Sequence, residues 1–310
     1  MKSTHRDYSE AAGDFNRLAR FIIDNNRDLR ARSTWSLGRL VDWKYGLYEN
    51  KLTYPAFTDQ NAHLWFDGFE RLVGFVISEN GDAYFDVIVL EGFRFLYGEL
   101  VQWALENWRD RGPNFSSEIT EQQAAEAAIL EAMGFSRRST LYTRRFDLTK
   151  KPALSFPLEE GFILVDMATH PDYLAQRVLR DNAFRDRDET DVDRLKWELR
   201  FYNHSHQGPI YHPETDICVM APDGRLVAGC EALIDAHNLE AEIERVCTHS
   251  AYRQRGFARA AIQECLRRLR EMGLRSAYIT GYSPEAIALY GSMGAEDETR
   301  AFVYAATHVE

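Results

Sequence analysis

The residues best suited to chemistry lie in a short basic loop, Arg253-Gln254-Arg255-Gly256-Phe257-Ala258, which follows a strand-like run and opens a helix-like one. Backbone N–H groups at the start of a helix have no partner within the helix, so a loop of small residues there can bind a pyrophosphate. Gly256 permits close approach and Ala258 removes bulk from the first turn. Positive charge for the phosphates comes from Arg253, Arg255 and Arg259.

The charge of the loop and its helix is unusual for this chain. Between Arg253 and Arg275 there are seven arginines and two glutamates, a local charge of +5 in a protein whose formal charge is −11. An acidic total argues against a nucleic-acid binder that tracks phosphates along a strand, but it leaves room for one local phosphate site.

Two glutamates precede the loop in the same strand-like run. Glu242 and Glu244 stand two residues apart, so both point to one face of a strand, and regular alternation extends that face to Val246 and Thr248. A carboxylate there can act through a water as the base for an amine, which is mostly protonated at neutral pH. The sequence leaves open whether one or both glutamates face solvent or pair with an arginine. Glu244 is favoured as the base because it lies nearer the loop.

The loop lacks the G-x-x-x-x-G-K-[ST] pattern of P-loops and the G-x-G-x-x-G pattern of dinucleotide folds. Its R-x-x-G-x-A form resembles the acyl-CoA loop of the GNAT superfamily of N-acyltransferases. Downstream, Ser283–Gly294 resembles that family's short helix, usually Asn-x-x-Ala-x-x-Leu-Tyr-x-x-x-Gly-Phe, with Ser283 in the asparagine place and Ala295 in the phenylalanine place. The resemblance covers roughly Phe162 to His308.

The resemblance implies acetyl-CoA as co-substrate and a role for Tyr290 as the acid that protonates the departing thiolate. The alternative for this residue is the commoner one, an aromatic side chain packed on a sheet. The backbone edge from Val246 through Cys247 to Thr248 would hold the pantetheine arm as an added strand, with one N–H polarising the thioester oxygen. The remaining expected CoA contacts are Arg253, Gln254, Arg255, Gly256, Phe257, Ala258, Arg259, Ser283 and Ala286.

These groups need a sheet and helices to position them, and the sequence predicts two tandem copies of one mixed α/β unit. Trp43 and Tyr48 recur as Trp197 and Tyr202 at an offset of 154 residues. Each copy reads as two helices, an antiparallel strand pair, a third strand, a long helix, a strand, a short helix and a last strand. The predicted hairpins are His63 to Ser78 and Asp216 to Asp235, and the predicted long helices are Gly98 to Arg111 and Ala258 to Met272, stopped by Gly112 and Gly273.

The predicted fold is therefore GNAT-like, each copy a mostly antiparallel mixed sheet flanked by helices. A polar segment ending in proline, Asp147 to Pro152, is the predicted linker, which divides the chain into domains 1–149 and 150–310. The first copy is interpreted as degenerate, because Glu91 to Gly98 lacks the R-x-x-G-x-A spacing and carries bulky apolar residues. The resemblance then implies one active site per chain, and Trp43 and Trp197 are expected to pack in the two cores.

Composition supports a folded protein without membrane or metal partners. Hydrophobic residues make up 45% of 310 residues, and no apolar run is long enough to span a bilayer. The start of the chain lacks a signal-peptide core, so a cytoplasmic location is expected. The four cysteines, which form no C-x-x-C pair, are expected to be small core residues, and the histidines near His204 are interpreted as loop residues without a metal.

The predicted function is an N-acetyltransferase that moves an acetyl group from acetyl-CoA to the primary amine of a small molecule by direct attack in a ternary complex. The acidic run from Asp186 to Asp193 would suit a cationic amine, or it is a solvated loop with a helix N-cap near Thr190 or Asp191. Two alternatives stay open: a non-catalytic acyl-CoA-binding regulatory protein and a protein N-acetyltransferase.

Overall fold

A computed structural model describes residues 3–52, 56–150 and 157–307 of the chain. Its contacts divide into two compact units, one made of Met1–Tyr142 with Thr299–Glu310 and one of Thr143–Glu298. Within the described residues there are ten α-helices and twelve β-strands. No helix among them is both long and apolar enough to cross a membrane.

The first unit has a four-stranded antiparallel sheet in the order β1-β2-β3-β4, and β12 lies between β5 and β6. The strands are β1 (Thr4–Asp7), β2 (Ala62–Phe66), β3 (Leu72–Ile77), β4 (Asp86–Val89), β5 (Asn114–Thr120), β6 (Ser136–Asp147) and β12 (Asp297–Thr307). The helices are α1 (Asp14–Asp24), α2 (Asn26–Arg32), α3 (Leu37–Tyr45), α4 (Ala56–Gln60), α5 (Tyr97–Asn107) and α6 (Ala124–Ala132). The chain leaves this unit within β6 and returns to it within β12.

The second unit has five strands in the order β7-β8-β9-β10-β11, antiparallel as far as β10 and parallel between β10 and β11. The strands are β7 (Ile163–Asp166), β8 (Ile217–Met220), β9 (Leu226–Asp235), β10 (Glu240–Thr248) and β11 (Ser276–Gly281). The helices are α7 (Tyr173–Arg185), α8 (Val192–Ser205), α9 (Phe257–Glu271) and α10 (Pro284–Gly291).

The core of the second unit is built on α9. Phe257, Ala261, Cys265 and Leu269 recur every four residues, so they share one face of the helix, and all four are buried against the sheet. All four cysteines of the chain are buried and free, which confirms their prediction as core residues. The apolar face of α9 is therefore anchored on the sheet, which fixes the start of the helix relative to the strands.

Most predicted elements are present. The hairpins are β2–β3 and β8–β9, the latter turning through Gly224 at φ +86°, and Gly273 closes α9 at φ +87°. The prediction for Gly112 is wrong, because α5 already ends at Asn107 and Gly112 follows a separate 3-10 turn. The short strands β1 and β7 were not predicted. In the linker, Asp147 to Lys150 form a turn, while Lys151 and Pro152 lie outside the described residues.

The two equivalent tryptophans have different surroundings. Trp43 is fully buried and donates its indole N–H to the Ser78 carbonyl at 2.9 Å, as expected of a core residue. Trp197 is 41% exposed, so its prediction as a core residue is wrong. The face of α8 that turns inward carries Phe201 and Tyr202 instead, and Trp197 packs edge-on against Phe201 from outside.

In the first unit a compact 3-10 turn follows β4, where the second unit has its basic loop. The turn spans Glu91–Leu96 and leads straight into α5. Arg94 within it donates to both oxygens of Glu126 on α6, at 2.6 and 2.8 Å, and Phe93 and Leu96 are buried. Phe95, by contrast, is 62% exposed.

Candidate active site

An opening separates β10 from β11. The parallel pairing joins Glu240, Ala241 and Glu242 to Ser276, Ala277 and Tyr278, and the register ends there. Both strands continue, β10 to Thr248 and β11 to Gly281. Beyond Glu242, the edge of β10 that faces β11 therefore has no β11 partner in the described register, and an extended ligand could pair with the backbone from Val246 to Thr248.

A β-bulge sits at the same level of β10. On the β9 side, Glu244 pairs with Glu231 and Cys247 pairs with Gly229, so Arg245 and Val246 together oppose one residue. Arg245 has φ +51°, the left-handed conformation that side chains other than glycine rarely adopt.

The bulge changes which side chains share a face. Val246 packs with the core beneath α9, and Thr248 pairs with Ala228, a residue of that same core. Glu244 lies on the other face of the sheet. Side chains alternate between the two faces along β9, and Glu231, the partner of Glu244, points to the face opposite that of Ala228. The prediction that Glu242, Glu244, Val246 and Thr248 share one face is therefore wrong beyond Glu244.

The position of Tyr290 depends on how closely α10 lies against β11. A Cβ on Gly281 would stand 3.1 Å from the backbone nitrogen of Ile287, so a larger residue there would push α10 outward by a few tenths of an ångström. The helix begins with Ser283, whose hydroxyl accepts the Ala286 N–H at 3.2 Å, followed by Pro284 at the first helical position. Ser283 and Ala286, both predicted CoA contacts, thus serve first to start the helix.

The Tyr290 side chain is 6% exposed and belongs to the core cluster under α9. Burial raises the pKa of its phenol, and the negative charge of Glu244 raises it further. Among the residues that the structure describes, its hydroxyl has no hydrogen-bond partner. Tyr290 is therefore a protonated donor near a carboxylate, beside the bulge. Glu242 is half-buried and Glu244 exposed, and the base role of either remains a prediction.

The basic loop leads directly into α9. Gln254 and Gly256 have φ +62° and +79°, and Gly256 caps the helix without a side-chain hydrogen bond. The N–H groups of Gly256, Phe257 and Ala258 hydrogen-bond to no described residue outside their own helix. Unpartnered N–H groups at the positive end of a 15-residue helix form an anion-binding geometry.

The two arginines of the loop, together with Arg259 in the first turn of α9, make contacts with the protein itself. Arg255 pairs with Glu159, donating to one carboxylate oxygen at 2.8 Å, and its guanidinium lies 5.0 Å from the ring centre of Phe162. This pairing holds the pKa of Glu159 below its usual range.

Arg253 donates to the carbonyl of Ala183 at 3.1 Å, and Arg259 to the hydroxyl of Ser292 at 2.5 Å. Farther along α9, Arg267 and Arg268 pair with Glu264, and Arg268 also pairs with Asp166. The local positive charge is thus partly neutralised, and the phosphate contacts of Arg253, Arg255 and Arg259 remain predictions.

The acidic run between α7 and α8 is tied to the end of β10. The Asp191 carboxylate accepts the N–H groups of Asp193 and Arg194, which confirms the helix N-cap predicted there. Asn182 accepts the Ser250 N–H at 2.6 Å and donates to Asp188, also at 2.6 Å. The run therefore forms defined hydrogen bonds, one of which links it through Asn182 to the residues that follow β10.

A buried charged group lies behind the bulge and was not predicted from the sequence. The Glu231 carboxylate contacts both Arg245 on β10 and Arg180 on α7, the latter at 2.9 Å. Asp216, also buried, lies 3.6 Å from Arg180 and accepts the Tyr211 hydroxyl at 3.0 Å. A glutamate inside the apolar run of β9 was the available signal, since a carboxylate on a buried strand requires a cationic partner. Within the described ranges, no cluster of His, Cys, Asp and Glu could hold a metal ion.

The second unit matches a known protein family. Residues 164–295 match the model of the acetyltransferase (GNAT) family. No curated protein sequence matches the chain with significant similarity.

Solved structures show the fold of the whole chain. A tandem GNAT protein from the clavulanic acid biosynthesis pathway is similar with a TM-score of 0.69 at 14% identity, over 98% of each chain. A GCN5-related N-acetyltransferase from Sphaerobacter thermophilus has a TM-score of 0.66 at 19% identity, over 98% of this chain and 95% of that one. A GNAT-family acetyltransferase from Colwellia psychrerythraea has a TM-score of 0.55 at 14% identity, over 98% and 100%. These likenesses confirm the predicted tandem GNAT-like fold.

Proposed function

Because residues 164–295 form a domain of the acetyltransferase (GNAT) family, we propose that the second unit transfers an acetyl group from acetyl-CoA to the primary amine of a small molecule. The observation that carries this proposal is the buried Tyr290 hydroxyl, which has no hydrogen-bond partner among the described residues and lies near Glu244. A phenol placed there is a proton donor for a leaving group.

The residues fit acetyl-CoA in two places. The pyrophosphate would accept hydrogen bonds from the free N–H groups of Gly256, Phe257 and Ala258 at the start of α9. The pantetheine arm would lie along the open edge of β10 between Val246 and Thr248, where β11 has diverged. Both contacts use backbone atoms and so require no particular side chain.

The proposed reaction is a direct attack on the thioester. A base removes one proton from the ammonium form of the amine, and the neutral nitrogen then forms a bond to the carbonyl carbon. As the carbon–sulfur bond breaks, the nitrogen gives up a second proton to water. Tyr290 gives its proton to the sulfur and recovers one from solvent. Glu244, acting through a water, is the proposed base, with Glu242 as the alternative on the same strand.

An assay of thiol release tests this function. Purified protein is incubated with acetyl-CoA and a panel of small primary amines that includes cationic and neutral members. We expect thiol release that depends on one class of amine, and a product that carries one added acetyl group by mass spectrometry. Binding of CoA without release for any amine would instead favour a regulatory acyl-CoA-binding protein. Acetylated peptides formed from a protein mixture, without small-molecule turnover, would favour a protein acceptor.

A further inference from the structure

The bulge of β10 depends on a residue in an unfavourable backbone conformation. Arg245 has φ +51°, whereas glycine is the residue that adopts this region freely. Such a conformation persists only where the surroundings hold it in place. We propose that Arg245 is a positioning residue for the acetyl transfer: its ion pair with Glu231 holds the bulge in the shape that opens the edge of β10. The inference rests on the proposed function.

The ion pair is well placed for this role. Glu231 is the cross-strand partner of Glu244, the residue immediately before Arg245. Its side chain is 2% exposed, and that of Arg245 is 15% exposed. The Glu231 carboxylate therefore lies on the neighbouring strand beside the bulge, where it binds the guanidinium of Arg245.

The carboxylate is itself held. Its second oxygen contacts Arg180 of α7 at 2.9 Å, and Arg180 is also 3.6 Å from the buried Asp216. The buried Arg180 and the half-buried Arg245 thus face two buried carboxylates, and the charges balance. Since a buried charge without its partner is costly, loss of the Arg245 guanidinium leaves Glu231 with one cation instead of two.

The consequence for the reaction is geometric. The bulge turns Val246 into the core and leaves Glu244 on the opposite face. It also sets the direction of the N–H groups between Val246 and Thr248, which would polarise the thioester. A bulge that relaxes would misdirect both the proposed base and these donors while leaving the phosphate loop of α9 intact.

Three substitutions at one position separate charge from backbone strain. Arg245→Lys keeps a cation and the strain, Arg245→Met keeps the strain without the cation, and Arg245→Gly removes both. The matched control is Leu239→Gly, because Leu239 has φ +55° in the same β9–β10 hairpin and makes no ion pair. Steady-state kinetics gives kcat and the KM for acetyl-CoA of each variant.

We expect kcat to fall about 10- to 100-fold in Arg245→Met and Arg245→Gly, with the KM for acetyl-CoA changed less than about threefold. Arg245→Lys should restore kcat to within about threefold of the original protein, and Leu239→Gly should leave it unchanged. Wild-type kcat in Arg245→Gly would overturn the proposal. That variant is the fair test, because glycine relieves the strain and so favours folding.

Hydrogen exchange separates this proposal from the proposed function. Peptides covering residues 243–249 should exchange faster in Arg245→Met and Arg245→Gly, and in Glu231→Gln, than in the unaltered protein, while peptides of α9 are unchanged. Unaltered protein without any transferase activity would refute the proposed function alone. Unchanged exchange across residues 243–249 would refute the positioning role, whatever the activity.

Discussion

The hydroxyl of Tyr290 on α10 and the carboxylate of Glu244 on β10 lie close enough for the charge of the glutamate to add to burial in raising the pKa of the phenol. The two residues are 46 positions apart in the sequence and come together because α10 packs tightly over Gly281. The pair fits the roles proposed for these residues, Tyr290 as the group that holds a proton and Glu244 as the one that accepts a proton.

Replacement of Tyr290 tests the proton donor. In Tyr290→Phe we expect kcat to fall about 100-fold or more, because the thiolate leaves without general-acid assistance. The Kd for CoA, measured by calorimetry, should change less than about threefold, since the ring remains in the core. Tyr304→Phe is the control, as that hydroxyl bonds Glu131 in the first unit. Equal kcat in Tyr290→Phe and the unaltered protein would remove Tyr290 from the mechanism.

The pH dependence of kcat follows from the direction of the same shift. An ordinary tyrosine loses its proton near pH 10, and the raised pKa of Tyr290 moves that loss to higher pH. We therefore expect no alkaline fall in kcat between pH 7 and pH 10 with both substrates saturating. The assay is a profile of initial rates in overlapping buffers. A descending limb with its midpoint below pH 10 that disappears in Tyr290→Phe would contradict this assignment.

Gly256 tests the phosphate loop. Gly256→Ala places a Cβ on a residue with φ +79°, which costs about 1 to 2 kcal/mol and disturbs the N–H groups at the start of α9. The Kd for CoA should rise about tenfold. Gly273→Ala is the matched control, with φ +87°, no atom within 4 Å of the added Cβ and a place at the other end of α9. Gly273→Ala should lose about as much stability as Gly256→Ala and keep its affinity for CoA. If Gly273→Ala also bound CoA more weakly, backbone strain alone would explain the weaker binding of Gly256→Ala.

Breaking the ion pair between Arg255 and Glu159 should increase the affinity of the protein for CoA. Removing the carboxylate in Glu159→Gln frees the guanidinium for a phosphate and takes a negative charge away from the loop. Because an exposed ion pair contributes little, the Kd for CoA should fall only about two- to fivefold at low salt and less at high salt. Glu271→Gln, which breaks an exposed pair with Arg267 at the far end of α9, should not change it. Weaker CoA binding in Glu159→Gln would mean that the pair itself organises the loop.

The lowered pKa of His206 makes the stability of the folded protein depend on pH. Burial, followed by Arg180 and Arg245, lowers its pKa to about 4, against about 6.5 in the unfolded chain. The unfolded state therefore binds the proton first as pH falls from 6.5 to 4, and the folded state loses stability in that window, by about 2 kcal/mol after allowance for partial exposure.

His206→Phe keeps the ring that stacks on Tyr211 at 4.3 Å and removes the titration. Urea unfolding at pH 7 and pH 4.5 should show a smaller loss of stability in this variant than in the unaltered protein. Equal losses would exclude His206 as the source of the acid sensitivity.

Local patterns in the sequence were sufficient to predict the loop, the long helix after it and the hairpins. Each depends on residues that are neighbours in the chain, such as Gly256 at a helix start or Gly224 in a turn. The predicted tandem GNAT-like fold followed from the repeat and from the resemblance of its second copy.

What could not be predicted depends on partners that are distant in sequence. The bulge at Arg245 exists only in relation to the register of β9, and it moved Val246 and Thr248 away from the face of Glu244. Trp43 and Trp197 occupy equivalent positions in the two copies, yet Trp43 is buried and Trp197 is exposed. The packing of α8, and not the position in the repeat, determines which of its residues face inward. Likewise, the pairing of Arg255 with Glu159 joins residues 96 positions apart.

The place of β12 in the first unit imposes an order on biosynthesis. β12 pairs with β5 through seven residues, from Ala301 to Thr307, and these residues belong to the first unit. A ribosome has therefore made the entire second unit before it supplies the strand that protects the edge of β5. A fragment that ends at residue 149 would expose that edge to other chains, so the first unit is a poor candidate for separate expression.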